Sequence, residues 1–354
     1  MASGVSTAVP VLRRALRRPS LTTPLAVVLV GLVLFWLVEN LARTPADFYQ
    51  NLIFGATNGF LYGLIAIGYS LVYGILELIN FAHGDVFMLG SMMATTIVGA
   101  TVLGLTAGRA WYVLWPGIML ALLIAMVFCG TLNASIERVA YRRLRNAPRL
   151  APLITAIGMS FILQNAGLIW KGARPISTVD ILPHGALFTI GGVAYTWNEF
   201  FVLAVTLPVL ALLVWLVQRT RQGKAMRATA QDREAAAMMG IDVDRTISFT
   251  FALAGALAGV AGLVYALYNT NTSYLTGFRT GLIAFTAAVL GGIGNLPGAV
   301  LGAMLIGLLE GFSDGLPWHA LGSQWTEAVI FAVLILILVF RPEGLLGERT
   351  PEGG

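Results

Sequence analysis

Charged residues are scarce in this chain, and their scarcity excludes most classes of soluble protein. Only 11% of the 354 residues are Asp, Glu, Lys or Arg, whereas hydrophobic residues make up 57%. A soluble domain carries roughly 25% charged residues, because its surface must face water. Long apolar runs in such a chain face lipid or one another. The composition therefore predicts an all-α fold, a polytopic bundle of transmembrane helices.

Cysteine is nearly absent, and the common catalytic motifs are missing. The single cysteine, Cys129, lies in an apolar run and has no second cysteine for a disulfide, and the sequence holds no cluster of metal ligands. The stretch around Gly223 and Lys224 lacks the earlier glycine and the following Ser or Thr of a P-loop. We therefore expect no catalytic residue, no metal and no cofactor. An ATP-driven step would need another chain.

The apolar runs divide into ten segments, of which the eighth is short for a full crossing. About 20 apolar residues are needed to span the hydrocarbon core. We therefore expect about 8–10 membrane-embedded segments, broken or re-entrant ones included. The predicted segments are 24–41, 50–75, 85–107, 113–133, 151–170, 197–217, 247–269, 280–293, 298–314 and 325–340.

Arginine and lysine lie mainly on one side of these segments. Cytoplasmic loops carry an excess of both residues, and alternation through ten segments puts most of the 22 on the side of the two termini. The net charge of +5 thus reflects membrane topology, not nucleic-acid binding. The sequence predicts a multi-pass protein of the cell membrane with cytoplasmic termini. The first segment is expected to stay as an anchor, since no small-residue cleavage site follows it.

Two polar, glycine-containing breaks separate apolar segments, at 79–85 and at 291–298, and neither contains Lys or Arg. Irregular backbone at membrane depth occurs where protein or water lines a cavity. One interpretation is that these residues line or gate a transport path, and the other is that Asn80 and Asp85 cap helix ends. The candidate path or gate residues are Asn80, His83, Gly84, Asp85, Gly291, Gly292, Gly294 and Asn295.

Glycine is abundant, with 40 residues. Gly55, Gly59 and Gly63 are spaced by four, and the same spacing recurs in later segments. Such spacing lets helix backbones approach closely, so we expect these glycines to lie at helix crossings. Glu77 and Glu310 are further acids for which two positions stay open, at membrane depth or at the membrane interface.

The polar loop between the sixth and seventh segments contains an alanine-rich stretch, Glu234 to Met239, that favours a helix which Gly240 can end. By composition it fits a partner-binding helix or an ordinary connector. Its sequence resembles the E-A-A-x3-G pattern of ABC importer permeases, in which this loop is a coupling helix that docks on the ATPase subunit. The resemblance assigns coupling to Glu234, Ala235, Ala236 and Gly240, with a small face at the two alanines to enter a cleft.

Further stretches resemble the branched-chain amino acid permeases, and the first break resembles the H-type membrane subunit more than its M-type partner. The resemblance covers residues 48–347. It implies an ABC importer permease domain at 48–347, preceded by a basic tail and an extra anchor at 1–47 and followed by a cytoplasmic tail at 348–354. The stretches are 68–74, 79–85, 156–160, 285–294 and 341–347.

The resemblance implies the membrane permease subunit of an ATP-driven importer, which forms the translocation path for branched-chain or related amino acids. Its implied partners are a second permease subunit, two cytoplasmic ATPase subunits, an extracytoplasmic solute-binding protein and membrane lipid. Two other functions stay open on the sequence: an ion-coupled secondary transporter and a channel-like protein for a small polar solute.

Overall fold

A computed structural model describes residues 22–99, 104–105, 111–145, 147–148, 150–183, 185–318 and 322–347. The helices are α1 (Thr22–Arg43), α2 (Pro45–Leu76), α3 (Ala82–Val98), α4 (Trp111–Ile136), α5 (Leu150–Lys171), α6 (Trp197–Arg219), α7 (Arg221–Gln231), α8 (Arg233–Met238), α9 (Val243–Asn269), α10 (Thr276–Gly291), α11 (Leu296–Gly315) and α12 (Ser323–Phe340). The strands are β1 (Ile176–Ser177), β2 (Ala186–Ile190), β3 (Val193–Thr196) and β4 (Asn271–Thr272). Strand β1 pairs with β4 and β2 with β3, both antiparallel.

The predicted all-α, polytopic bundle is confirmed. Each of the ten predicted segments corresponds to one helix, and the polar loop adds α7 and α8. Within the described ranges, seven helices are long and apolar enough to cross a membrane, and α10 is a shorter apolar helix. The third segment differs from its prediction, because α3 ends at Val98 instead of near 107. The Leu105 amide donates to the Val98 carbonyl, so Leu105 lies beside the end of α3 and does not extend it.

The connections gather at two ends of the bundle. The hairpin end contains the β2–β3 hairpin and the β1–β4 pair. There the Ala194 amide donates to Gln50 Oε1 (2.9 Å) and Trp36 Nε1 donates to the Trp318 carbonyl (2.7 Å). The basic end contains the α2–α3 and α10–α11 connections, the end of α4, and helices α7 and α8. There Arg233 donates to the Ile75 carbonyl (2.8 Å). Residues 1–21 of the predicted tail and anchor at 1–47, and the whole predicted tail at 348–354, lie outside the described residues.

Helices α2 and α9 form the centre of the bundle. In an 18-residue apolar stretch of each helix, 83% of the residues are buried in α2 and 72% in α9. The corresponding shares are only 28% in α5 and 11% in α12. Helices α5 and α12 therefore lie at the periphery. Because α2 is central, its carboxyl end, which lies at the basic end of the bundle, is close to several neighbouring helices.

Glycines bring α2 into backbone contact with α11, as their spacing predicts. A Cβ on Gly55 would lie 2.7 Å from the Gly307 carbonyl oxygen, and a Cβ on Gly59 would lie 2.9 Å from Met304 Cα. Only glycine allows that approach without a shift of backbone. Gly63 differs, since the nearest atom to an added Cβ there would be Ala303 Cβ, at 3.8 Å.

An acid bridges the same two helices. Glu310 on α11 accepts hydrogen bonds from Asn58 Nδ2 (3.1 Å) and Tyr62 OH (2.8 Å) on α2. An acid at membrane depth is costly unless it is paired or hydrogen-bonded, and these two donors explain its presence. The other candidate acid, Glu77, is exposed at the basic end.

The α2–α11 crossing gives a matched pair of variants. Gly59→Ala forces the two backbones apart, so we expect it to lower the free energy of unfolding by about 1–3 kcal/mol. Gly63→Ala adds the same methyl group where ordinary contact distances remain, and alanine favours a helix over glycine. Thermal unfolding of both variants in detergent measures the difference. An equal fall in Tm for both would contradict the assigned crossing.

Candidate functional site

The first break is shorter than predicted. Helix α2 ends where Glu77 takes a left-handed conformation (φ +55°), and α3 begins at Ala82. The irregular segment is therefore 77–81, not 79–85. His83, Gly84 and Asp85 lie in the first turn of α3, where the His83 amide donates to the Asn80 carbonyl (3.1 Å).

Asn80 and His83 are buried in contact with aromatic side chains. Asn80 Oδ1 accepts a hydrogen bond from Tyr141 OH (2.8 Å). Tyr141 is the last residue of a π-helical turn, Glu137–Tyr141, that follows α4. The His83 ring packs edge-on against Tyr69, with ring centroids 4.8 Å apart. Asn80 therefore joins the first break to the end of α4. No side chain caps α3, so the capping interpretation of Asn80 is wrong.

Asp85 links α3 to the peripheral helix α5. Its side chain is buried, and Oδ2 accepts a hydrogen bond from the Ser160 hydroxyl. Gln164, one turn further along α5, donates from Nε2 to Ser160 Oγ (3.0 Å). Asp85 lies in the first turn of α3, as the capping interpretation expects, but its hydrogen bond goes to α5 and not to an amide of α3.

Gly84 lies at a helix crossing. A Cβ on it would be 2.5 Å from the Gly277 carbonyl oxygen and 2.9 Å from Gly281 Cα, both on α10. Its amide donates to Tyr69 OH (3.2 Å). The approach of α3 to α10 therefore requires glycine here, and a bulky residue would disturb packing before it could report on transport.

The second break is also shorter than predicted and spans 292–295, because Gly291 ends α10 and Leu296 begins α11. Gly292 and Gly294 have positive φ, +106° and +89°. Asn295 caps α11, since its side chain accepts from the Gly298 amide (2.9 Å) and donates to the Leu346 carbonyl (2.8 Å). The carboxyl-terminal stretch is thereby held against this break.

The structure brings the two breaks together around the end of α2. Gly294 Cα would lie 3.6 Å from a Cβ on Gly74. Asn80 from the first break and Ile293 from the second line one narrow crevice. The rings of Phe81 and Phe285, beside it, are 5.7 Å apart. The role of these residues as a path or gate stays a prediction.

The predicted helix in the polar loop is confirmed as α8, which follows directly after α7. Its first turn is capped by Asp232, whose Oδ1 accepts from the amides of Glu234 (2.9 Å) and Ala235 (3.0 Å). An acidic cap satisfies amide groups that have no partner within the helix. Helix α8 is therefore well defined despite having only six residues.

Gly240 ends α8 in a Schellman motif. The Gly240 amide donates to the Ala237 carbonyl (3.0 Å) and the Ile241 amide donates to the Ala236 carbonyl (3.1 Å). Gly240 has φ +82°, and no atom lies within 4 Å of an added Cβ. The need for glycine is thus conformational, since a left-handed residue with a side chain costs about 1–2 kcal/mol.

The exposed face of α8 differs in part from the predicted one, since Ala235 is half-buried and only Ala236 is buried. Ala236 is 4% exposed and packs against its own chain, whereas Met238 and Met239 are 82% and 83% exposed. The end of α8 therefore presents an apolar, flexible methionine tip, which the sequence did not predict, while coupling through Ala235 and Ala236 stays a prediction. Glu234 is exposed on the same helix.

An ionic network ties the end of α4 to the start of α9. Arg145 pairs with Glu137 and with Asp244, and Asp244 also pairs with Arg142. Ser248 donates to the buried Glu137 carboxylate (2.6 Å). The sequence showed these arginines only as a topology signal, because Asp244, which both of them contact, is about a hundred residues away in the chain.

Other site residues were missed although a sequence signal exists for some. Ser160 and Gln164 form a polar pair at i, i+4 in an apolar helix, which is a sign of a buried polar contact. Tyr141 gave no such signal, because a tyrosine at a helix end is common in membrane proteins.

Comparisons with known proteins define the family. The family described as "Branched-chain amino acid transport system / permease component" matches residues 51–338. The high-affinity branched-chain amino acid transport system permease protein BraD of Pseudomonas aeruginosa is 40% identical over 313 residues, which is 86% of this chain and 97% of BraD. LivH of Escherichia coli K12 is 38% identical over 312 residues, with the same coverage. This chain belongs to the family of branched-chain amino acid transport permeases and is a multi-pass membrane protein.

The family assignment confirms the resemblance seen in the sequence, including the H-type subunit. The probable LivH and LivM permease proteins of Methanocaldococcus jannaschii are more distant, each at 26% identity, over 90% and 91% of this chain. Among solved structures, an inward-facing ABC transporter of metal-chelate type covers 88% of this chain and 99% of its own. Its TM-score of 0.40 and identity of 16% are too low to support a statement about this chain.

The Asp85–Ser160 contact predicts a selective loss of stability. Ser160→Ala leaves the buried Asp85 carboxylate without this donor, so we expect the free energy of unfolding to fall by about 1–3 kcal/mol. Ser135→Ala is the control, since Ser135 is exposed on α4 and bonds only to its own helix, at Thr131 (2.7 Å). Thermal unfolding in detergent compares the two variants. Equal stability of Ser160→Ala and the wild type would contradict the contact.

Proposed function

We propose that this chain is the membrane permease subunit of an ATP-driven (ABC) importer that moves branched-chain or related amino acids. Family membership supports the transport role, and the relatives named above are permeases of high-affinity branched-chain amino acid systems. The observation that carries the coupling to ATP is α8. It is fixed at both ends and projects two exposed methionines at the basic end.

In this proposal the basic end faces the cytoplasm and so do both termini. Among the described residues, the arginines of the α4–α5 connection lie at the basic end. The arginines and the lysine between α6 and α9 lie there as well. The hairpin end has few cations, namely Arg43, Lys171, Arg174 and Arg279 within the described ranges. This bias is the one that cytoplasmic loops show. The solute-binding protein would then meet the hairpin end.

The proposed domain organisation has the permease domain at 48–347, the anchor and basic tail at 1–47, and a cytoplasmic tail at 348–354. Helix α1 supports a peripheral anchor, because its Asn40 accepts from the Trp318 amide (3.2 Å) at the hairpin end. Helix α1 thereby joins the bundle through the α11–α12 connection.

A second permease subunit is proposed to cover α5. Asn165 is exposed on this peripheral helix, and its amide donates only to the Phe161 carbonyl one turn earlier (2.8 Å). A polar side chain at membrane depth generally faces protein or water rather than lipid. The pairing of Asp85 with Ser160 connects this face to the first break.

The path or gate is proposed at the two breaks, with Asn80, His83, Asp85 and Gly294 nearest to it. Two cytoplasmic ATPase subunits would dock on α8 and hydrolyse ATP, so this chain itself would catalyse no reaction and need no cofactor. An ion-coupled transporter or a channel has no use for an exposed apolar helix tip at the cytoplasmic end. The methionine tip therefore favours the importer over both.

Orientation is testable by labelling intact cells. The only native cysteine, Cys129, is buried, so single cysteines can be added without replacing it. We expect Gln231→Cys, at the basic end, to resist a membrane-impermeant thiol reagent and to react after permeabilisation. Thr189→Cys, on the exposed hairpin, should react in intact cells. Labelling of Gln231→Cys from outside would reverse the proposed topology.

Coupling is testable at the methionine tip. Met238→Glu together with Met239→Glu places two charges on an exposed surface, so folding is preserved while docking into an apolar cleft is opposed. We expect about tenfold less ATPase copurification and a comparable loss of ATP-driven leucine uptake in proteoliposomes. Met238→Leu with Met239→Leu is the control and should keep both. Normal uptake by the glutamate variant would show that this loop is only a connector.

A further inference from the structure

A cavity of about 270 Å³ opens at the basic end, between the end of α2, the α4–α5 connection and the junction of α7 with α8. Pockets for drug-sized ligands measure roughly 300–1,000 Å³. This volume therefore suits a smaller metabolite. The cavity is separate from the crevice between the two breaks, because different residues line the two.

Two unpartnered polar atoms belong to side chains of this cavity. Thr229 is 1% exposed, and its hydroxyl has no hydrogen-bond partner among the described residues. Arg145 pairs through its terminal nitrogens with Glu137 and Asp244, while its buried Nε has no partner in the same part of the chain. Buried polar groups normally find a partner. Both atoms lie just beneath the surface of the cavity, so a ligand with oxygen atoms would partner them after a small shift of the lining side chains.

Charges of both signs line the cavity. Arg145 and Arg233 are its described cations, and Glu77 and Asp232 its described anions. Arg233 is held by its bond to the Ile75 carbonyl (2.8 Å). Arg145 is already paired with Glu137 and Asp244, and Asp232 caps α8. Arg233 and Glu77 therefore remain as one cation and one anion, an arrangement that complements a zwitterion better than a simple anion or cation.

Aliphatic groups complete the lining. Leu76 and Leu78 belong to the end of α2 and the first break, and Pro152 lies in the first turn of α5. An ammonium, a carboxylate and a branched aliphatic chain are the three groups that such a cavity recognises. A free aliphatic α-amino acid carries all three.

We propose that this cavity binds a free aliphatic α-amino acid from the cytoplasmic side and thereby slows import when the product accumulates. The inference rests on the proposed function and adds a regulatory site to it. The walls of the cavity belong to the end of α2 and to the loop that carries α8. A ligand that bridges them stabilises this arrangement over any arrangement in which the loop moves.

The test uses proteoliposomes that contain the whole transporter, with ATP inside and with binding protein and radiolabelled leucine outside. Unlabelled leucine is loaded into the lumen over a millimolar range, and the initial rate of uptake is measured. We expect the wild-type rate to fall as luminal leucine rises. Each variant is compared with its own rate in vesicles without luminal leucine.

Thr229→Val keeps the shape of the side chain and removes its hydroxyl, and Glu77→Gln removes one charge at an exposed position. Each should need about tenfold more luminal leucine for the same inhibition. Thr131→Val is the control, because Thr131 is exposed on α4 and bonds to its own helix. It should be inhibited like the wild type.

A direct measurement accompanies the kinetics. Equilibrium binding of radiolabelled leucine to the purified transporter, without binding protein or ATP, should be weakened about tenfold by Thr229→Val. Absence of uptake in vesicles that contain ATP but no luminal leucine would contradict the proposed function. The equilibrium binding assay would still test whether the cavity binds leucine. The inference would be overturned if luminal leucine left the uptake rate unchanged and the purified transporter bound no leucine. A zwitterionic lipid headgroup that fills the cavity would give this same result.

Discussion

Backbone contact between helices is the constraint on which the rest of this structure depends. Lipid offers helices no hydrophobic reason to associate, so they associate through close van der Waals packing and a few hydrogen bonds. Glycines supply that approach where α2 crosses α11 and where α3 crosses α10. Because α2 is fixed by several such contacts, the point at which it ends is fixed as well. Both breaks, α8 and the basic-end cavity are arranged around that point.

The few buried polar side chains connect helices that glycine packing leaves loosely attached. Asp85 joins α3 to Ser160 on α5, which is otherwise largely exposed. Tyr141 joins the π-helical end of α4 to Asn80 in the first break. Each bond replaces water that is absent at this depth, so each is geometrically demanding. A change in the position of α5 or of the end of α4 would therefore move side chains at or next to the first break.

The fold was predictable from the sequence because membrane helices are encoded locally, by apolar length and by the side on which arginine lies. The site was predictable only in part. Gly240 could be assigned as a helix end from its neighbours, and its Schellman geometry agrees. Asn80 and Asp85 could not be told apart from helix caps, because their partners, Tyr141 and Ser160, lie 61 and 75 residues away in the chain. The outward turn of Met238 was equally hidden, since a six-residue helix has no periodicity that identifies its exposed face.

The position of Arg145 suggests how motion at α8 could reach the membrane helices. Arg145 pairs with Asp244 at the start of α9, and α9 follows α8 after a short turn. It also pairs with Glu137 in the π-helical turn, a kind of irregularity that is often found at functional sites. The same turn supplies Tyr141 to the first break. A displacement of α8 would thus act on α9 and on the end of α4 through one guanidinium, and its effect would arrive at Asn80, where α2 gives way to α3.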